Sequence, residues 1–288
     1  MATQYTFTIP LHETGNEDSA YRMTNLPNEE QRHYLIHRTY HRPDRIVKGR
    51  LQHVIHGSFH PDDHVSNATL IVAKFDFLGQ TLDRRFKYAR IKWDFAYADT
   101  DDDEDGDGDG DTPEVRKVSL DGQYIMNESV VSLSKEVRGD AGVQGGGVVT
   151  ASIGTGWTRS QSAEVKDHIS IFGTSLFTNR LCGEPNGAQW VLEENASQRS
   201  GIPGAITTAV LLRRDPGRVF VGTIEVKAEI GRLNKIEDWL GRKPRVDPVV
   251  FNPALPPTTK VYDAQHLDAV DLDAIPAVVL HTSLPVAQ

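Results

Sequence analysis

The sequence predicts an all-β fold, an antiparallel sandwich or barrel of roughly 8–12 strands with minor helix. Two features carry this prediction. Apolar residues alternate with polar ones in many segments, which is the period of a strand with one buried face. The connections between these segments contain glycine and proline, as short strands of sandwiches and barrels require.

The first strong strand signals lie in the first third of the chain. Residues 68–78 are rich in β-formers, and residues 89–97 alternate strictly between apolar and polar or small side chains. Gly79 and a polar stretch separate the two segments, so we predict a hairpin that joins them.

Further segments complete the predicted architecture. Helix is limited to a candidate at 28–40 and one turn at 236–240. We expect a single β domain over residues 1–250 with an acidic loop at 99–111, followed by a Pro-rich C-terminal extension over 251–288 that packs on the domain or trails from it. The remaining strands are predicted at 129–137, 149–157, 164–172, 188–193, 205–213 and 218–230.

Most of the net charge comes from one loop. The chain has 288 residues, with 31 basic and 40 acidic side chains and a net charge of −9. Residues 99–111 hold nine of the acids and no base, so 31 acids balance 31 bases elsewhere. Because no basic surplus remains to neutralise phosphates, we expect no nucleic-acid partner.

The single cysteine, Cys182, excludes an internal disulfide and any multi-cysteine metal site. No run of about 18 apolar residues occurs, and the N-terminal MATQYTFTIP lacks the basic and apolar regions of a secretory signal. We therefore expect a cytoplasmic protein with no stable membrane insertion. The sequence leaves its oligomeric state open.

Two clusters have the composition of metal ligands. Residues 103–114 match the calcium-loop pattern D-x-D-x-D-G-x5-E, but alternating Asp and Gly satisfy it by composition, which favours a solvated loop. Seven of eleven histidines fall between His33 and His64, partly at the four-residue spacing that suits zinc on a helix. His60–Pro61 opposes a helix and H-E-x-x-H does not occur. We predict no metal and no cofactor.

Residues 139–156 read GDAGVQGGGVVTASIGTG. They contain no G-x-G-x-x-G turn leading into a helix, so a phosphate cradle is not predicted. We expect a flexible hairpin. The alternative is an amphipathic hairpin that rearranges at a membrane, since apolar residues alternating with Ser, Thr and Gly are typical of pore-forming strands.

No catalytic residue can be assigned from motifs. G-x-S-x-G does not occur, and Cys182 lies in the turn-like sequence LCGEPNG. Asn195, which follows two glutamates, fits a turn cap better than an acid–base role.

Three stretches, WVLEEN at 190–195, SGIP at 200–203 and AVLLRR at 209–214, resemble hypothetical proteins of filamentous fungi. RRFK at 84–87 and DPVVFNP at 247–253 extend this resemblance over residues 65–255. It implies a fungal cytosolic setting, and it brings no catalytic residue.

Two classes of function stay open. The first is binding of an apolar small molecule in a cavity of the β-architecture. Such a cavity suits a cofactor-free cyclase or isomerase of fungal secondary metabolism, which would hold its substrate in a reactive conformer. The predicted protein resembles, in fold class alone, β-barrel cyclases of fungal natural-product pathways. The second is a non-enzymatic interaction or membrane-perturbing, pore-forming-like protein that uses the 139–156 hairpin. The expected ligand-binding residues of the first class are Trp93, Phe95, Tyr97, Trp157 and Trp190.

Overall fold

The structure, a computed structural model, describes residues 24–26, 29–40, 42–61, 67–79, 85–98, 112–138, 158–178, 180, 182–230 and 246–280. Within these ranges there are two single-turn 3-10 helices, Leu267–Ala269 and Leu272–Ala274. The same ranges contain twelve strands: β1 (Tyr34–Tyr40), β2 (Arg42–Ser58), β3 (Asn67–Leu78), β4 (Phe86–Tyr97), β5 (Glu114–Val118), β6 (Gly122–Arg138), β7 (Thr158–Leu176), β8 (Gly187–Glu193), β9 (Ala205–Arg214), β10 (Phe220–Ile230), β11 (Val249–Phe251) and β12 (Val278–Val279).

The strands form two six-stranded sheets. Sheet A has the order β1-β2-β3-β9-β12, with β5 also paired to β9, and sheet B has the order β11-β10-β4-β8-β7-β6. The ladders between strands are antiparallel. The two sheets pack face to face around the main apolar core. The predicted all-β fold is therefore confirmed. Of the two predicted architectures, sandwich and barrel, the structure is a sandwich.

The sequence pattern of each strand follows its burial. In β4 and β10 buried residues alternate with half-exposed ones, because one face meets the core and the other meets solvent. β3 and β9 lie at the centre of sheet A and are buried on both faces. They accordingly read as continuous apolar runs rather than as alternating strands.

Part of the second face of sheet A is covered by residues 252–280, which we call the C-terminal strap. The amide of Ser58 donates to the carbonyl of Ala264, and the amide of Thr258 donates to the carbonyl of Val54. Under the strap lies a second apolar cluster, formed by Ile55, Ala68, Leu70, Val72, Ala209 and Leu211 of the sheet with Leu267 and Leu272 of the strap.

The predicted hairpin between residues 68–78 and 89–97 is wrong. β3 pairs with β2 and β9 in sheet A, whereas β4 pairs with β10 and β8 in sheet B. The connection therefore crosses from one sheet to the other. The cause is the difference in burial, since a strand buried on both faces belongs in the strap-covered sheet and an alternating strand belongs in the sheet with a solvated face.

The helix predicted within 28–40 is wrong as well, because residues 34–40 form β1. A register shift between Tyr34 and Ile36 lets the neighbours Leu35 and Ile36 both be buried, which removes the period-2 signal of a strand. The predicted segments 99–111, 149–157 and 236–240 lie outside the described residues.

Candidate functional site

Trp93 and Phe95 of the expected pocket lie in the core between the sheets. Their rings are stacked with centroids 5.7 Å apart, and the ring of Phe251 lies 6.4 Å from that of Trp93. A Cβ on Gly222 would come within 2.9 Å of the Trp93 ring, so a glycine is needed there. This packing favours a structural role for both aromatic residues, and ligand binding by them stays a prediction.

Trp190 of β8 is fully buried and has its polar atom satisfied. Its Nε1 donates a hydrogen bond of 2.8 Å to the carbonyl of Ser119. Gly173 of β7 has no room for a side chain, because a Cβ there would overlap the carbonyl of Leu120 and crowd the indole. Trp157, the third tryptophan of the expected pocket, lies outside the described residues.

Tyr97 ends β4 and holds the turn between β9 and β10. Its hydroxyl accepts a hydrogen bond of 2.8 Å from the amide of Asp215. The guanidinium of Arg218 lies 3.8 Å from the centre of the tyrosine ring, a cation–π contact. The structure thus brings Trp93, Phe95 and Tyr97 together on the core face of β4.

A buried polar cluster lies beneath the same end of the sandwich. Thr69 Oγ1 accepts a hydrogen bond from Arg214 Nε at 2.8 Å and lies 2.9 Å from His56 Nδ1. Burial and the neighbouring guanidinium of Arg214 lower the pKa of His56 to about 4. Burial also lowers the pKa of Arg214, to about 10. His56 is therefore neutral near pH 7, and the cluster stabilises the fold by satisfying buried polar atoms.

Among the other histidines of the sequence cluster, His53 lies on β2, the strand that also carries His56. His33 precedes β1 and His37 lies on it, both exposed, and His60 follows β2. His41 and His64 lie outside the described residues. Within the ranges that the structure describes, no three His, Cys, Asp or Glu side chains come together as a metal site would need.

Sheet B extends past β8 as a long two-stranded ladder. β6 and β7 continue as a ladder of ten residue pairs from Ser129–Asp167 to Arg138–Thr158. β8 pairs with β7 only over the positions from Ser170 to Leu176. We call residues 129–138 and 158–167 the ribbon, and none of the described strands pairs with it from the side.

The ribbon begins at a β-bulge that one buried side chain holds in place. The ladder shifts register between Met126 and Ser129, and Asn127 in the bulge has a left-handed φ of 54°. Asn195 Nδ2 donates to the carbonyl of Asn127, to Ser129 Oγ and to the carbonyl of Asp167. Asn195 Oδ1 accepts from the amide of Gln198, so this asparagine also caps a turn, as the sequence predicts.

Next to the bulge, sheet B exposes apolar side chains to solvent. Ile125 is 55% exposed, Val130 is 56% exposed and Phe172 is 42% exposed. By the register of the ladder these three share the outer face of the sheet. On β4 and β10 the same face carries ion pairs instead, Arg90 with Glu225 and Lys87 with Glu229.

Sequence reasoning placed the amphipathic hairpin at 139–156, which lies outside the described residues. The sequence predicts residues 129–137 and 164–172 as separate strands and does not connect them with that hairpin. The available signal lies before the glycine-rich stretch, where Ser132 and Ser134 alternate with Val131 and Leu133. No motif could have indicated where the neighbouring strand β8 ends.

The comparisons add no assignment to this geometry. Among the described residues, no helix has the length and apolar character needed to cross a membrane. No protein-family model matches this chain, and none of the curated proteins matches it.

Proposed function

We propose that this chain is a non-enzymatic interaction protein that perturbs membranes through the ribbon. The observation that carries the proposal is the ladder of ten residue pairs that extends past β8 from the edge of sheet B. At the strand rise of about 3.3 Å per residue, this ladder extends about 30 Å past the end of the β7–β8 pairing. A two-stranded extension of that length is suited to contact a separate surface.

The register of the ribbon supports an amphipathic contact. Val131 pairs with Val165 and Leu133 pairs with Ala163, whereas the intervening position pairs Ser132 with Glu164. Alternate pairs of a ladder lie on opposite faces. The register therefore gives one face the apolar pairs Val131–Val165 and Leu133–Ala163 after the polar pair Ser129–Asp167, and gives the other face mainly polar pairs after Val130–Lys166.

Farther from the sandwich the face with the apolar pairs becomes polar, because the next pair on it is Lys135 with Gln161. A ribbon with this pattern suits a position flat in the lipid interface, with the apolar side chains in the acyl boundary and the long cationic side chains reaching the headgroups. This mode of action disturbs lipid packing without stable insertion across the bilayer.

The charges of the hairpin indicate which lipids it would contact. β6 and β7 together carry four basic and four acidic side chains. Because the strands are electroneutral, attraction to anionic lipids contributes little. The proposed contact is apolar, so neutral phosphatidylcholine vesicles are a suitable probe.

The test is release of a trapped dye from phosphatidylcholine vesicles by the intact protein. Leu133→Arg places a charge on the apolar face, where it costs up to about 2–4 kcal/mol in lipid, and should lower the release rate at least about tenfold. Ser134→Arg is the matched control, because the same charge enters the polar face one residue away. It should release dye at close to the unsubstituted rate.

Two outcomes would contradict the proposal. One is that the intact protein releases no more dye than buffer at micromolar concentration. The other is that Leu133→Arg and Ser134→Arg lower the release equally while both proteins keep the melting temperature of the unsubstituted chain.

The apolar-ligand hypothesis is a separate proposal with a separate test. It requires that the core aromatics Trp93, Phe95, Tyr97 and Trp190 line a ligand site, together with Trp157. If truncation of one of these tryptophans weakens the binding of an apolar dye, the result supports the ligand-site hypothesis. The same result neither supports nor contradicts membrane action by the ribbon.

A further inference from the structure

We infer that one corner of the outer face of sheet A binds the headgroups of anionic phospholipids, as a second membrane contact besides the ribbon. The inference names a lipid class for the membrane action proposed above, and it rests on that proposal for the direction from which the membrane approaches. The contact is electrostatic, whereas that of the ribbon is apolar, so the two can be tested separately.

The corner consists of three successive pairs of β2 and β3. The pairs, which we call the basic corner, are Ile46–Leu78, Lys48–Asp76 and Arg50–Lys74. Every second position of a strand lies on the same face, and the alternate residues Val47 and Phe77 are buried in the main core. The six side chains therefore lie on the outer face. The strap leaves this corner open to solvent, since the side chains of Arg50 and Lys74 are 38% and 31% exposed.

The basic corner carries an excess of positive charge. Asp76 Oδ2 lies 2.7 Å from Arg50 Nη2, and its Oδ1 lies 3.3 Å from Lys74 Nζ, so two cations share one carboxylate. Lys48 is opposite the same aspartate in the ladder. Among the six side chains, three cations thus face one carboxylate, an excess of two positive charges. The adjacent positions on β9 carry no charge.

The basic corner lies at the end of the sandwich where the ribbon begins. β3 ends at Leu78 and β4 begins at Phe86, and the ring of Phe77 lies 5.8 Å from that of Phe86. β8 ends here as well, because the amide of Glu194 donates to the carbonyl of Lys87. The ribbon continues from β7 past this end of β8. A membrane that the ribbon contacts therefore lies at the same end as the basic corner.

The order of the three pairs fits a lipid interface. The outermost pair is apolar, and its Leu78 is 40% exposed. The two charged pairs follow at about 7 and 13 Å from it, at the strand rise of about 3.3 Å per residue. In this arrangement the apolar tip enters the acyl boundary and the long cationic side chains reach the phosphates. The order favours a membrane over a soluble acidic partner, which has no use for an exposed apolar tip.

The acidic stretch of the sequence joins the sandwich at the opposite end. Residues 99–111 follow β4, which ends at Tyr97, and precede β5, which begins at Glu114. Glu114 pairs with Arg213, which pairs in turn with Ala68 near the start of β3. The length of β4 places Tyr97 about 35 Å from the ribbon end. The nine acids therefore attach several Debye lengths from the basic corner, since this length is about 8 Å at physiological salt.

The test is co-sedimentation of the intact protein with vesicles of phosphatidylcholine alone or with vesicles that also contain phosphatidylserine. Phosphatidylserine should raise the partition coefficient about tenfold, and high salt should abolish this increase. Lys48→Glu should lower partitioning onto the mixed vesicles about tenfold or more, because each cation near an anionic surface contributes about a fivefold factor. It should leave partitioning onto pure phosphatidylcholine unchanged.

Lys260→Glu is the matched control, since it makes the same change of charge on the same side of the sandwich. Lys260 is exposed and lies in the strap two residues after Thr258, whose amide donates to the carbonyl of Val54. Val54 is about 20 Å farther along β2 than Lys48, so the control should not change partitioning. Lys48→Gln, which places no second acid beside Asp76, should give a smaller decrease of the same sign at an unchanged melting temperature.

Equal partitioning onto the two kinds of vesicle overturns the inference, and so does an equal effect of Lys48→Glu and Lys260→Glu. Inorganic phosphate that displaces more protein than chloride at equal ionic strength also overturns it, because the corner would then bind free phosphate. None of these results bears on dye release from pure phosphatidylcholine, which Leu133→Arg and Ser134→Arg test. Absence of that release together with binding to phosphatidylserine that depends on Lys48 would contradict the action of the ribbon and support the basic corner.

Discussion

At the scale of single residues, the molecule relies on buried polar atoms that are satisfied within the core. Trp190 illustrates this, because a fully buried indole donates its one N–H to the carbonyl of Ser119. Removing a partner from such a pair leaves a buried acceptor unsatisfied, which costs more than the hydrogen bond contributes when it is formed.

Trp190→Phe should therefore lower the free energy of unfolding by about 1–3 kcal/mol, since the ring is largely kept and the donor is lost. Trp93→Ala should cost about 3–5 kcal/mol, as expected for a truncated core aromatic. Urea unfolding measures both values. Variants that keep their stability but lose binding of an apolar dye would show instead that these tryptophans line a ligand site.

His56 makes stability depend on pH in a defined window. Its pKa is about 4 in the folded protein and about 6.5 in the unfolded chain, because burial and Arg214 disfavour the imidazolium. Above pH 6.5 the imidazole is neutral in both states. Between these two values only the unfolded chain binds the proton, so the free energy of unfolding falls on acidification by up to about 3 kcal/mol.

His56→Gln should remove this part of the pH dependence, while His33→Gln, at an exposed position, should keep it. The measurement is urea unfolding of the three proteins across the window. An unchanged slope in His56→Gln would mean that another group is responsible.

The sequence predicts which side chains share a face of a strand better than it predicts which distant residues pack against them. The alternation in residues 89–97 correctly placed Trp93, Phe95 and Tyr97 on one face of a strand. It could not indicate that Phe251 and Gly222 pack against the Trp93 ring, because both lie far away in the sequence.

At the scale of elements, the C-terminal strap depends on one glycine. A Cβ on Gly57 would overlap the carbonyl of Ala264, which also accepts a hydrogen bond from Ser58. The strap can approach β2 this closely only because residue 57 has no side chain.

Gly57→Ala should therefore displace the strap and uncover the apolar face of sheet A. We expect faster hydrogen exchange over residues 254–280 and stronger binding of an apolar dye. Ser58→Ala is the neighbouring control and should change neither. Slow exchange over the strap in Gly57→Ala would show that the chain absorbs the extra methyl group elsewhere.

The strands themselves were well predicted where one face is solvated, as in β4 and β10. The prediction failed where tertiary context decides the pattern. In β1 a bulge interrupts the alternation of buried and exposed residues, so the sequence lacks the pattern of a strand. The strand partners of β3 depend on the C-terminal strap, which lies about 200 residues further along the chain.

At the scale of the whole molecule, the two outer faces of the sandwich differ. The outer face of sheet A is apolar where it lies under the strap, while that of sheet B is ion-paired over β4 and β10 and apolar near the bulge of β6. Exposed apolar patches of this kind mark interaction sites. The alternation in the sequence predicts strands with one buried face, but only the strand pairing shows that β6 and β7 continue past β8.

The central claim is that the apolar face of the ribbon meets lipid and the polar face does not. The most direct measurement attaches an environment-sensitive fluorophore to a cysteine at residue 133 or, in a second protein, at residue 134, with Cys182→Ser in both. On addition of phosphatidylcholine vesicles, the probe at 133 should shift to the blue and the probe at 134 should not. Equal shifts at the two positions, or no shift at either, would contradict the claim.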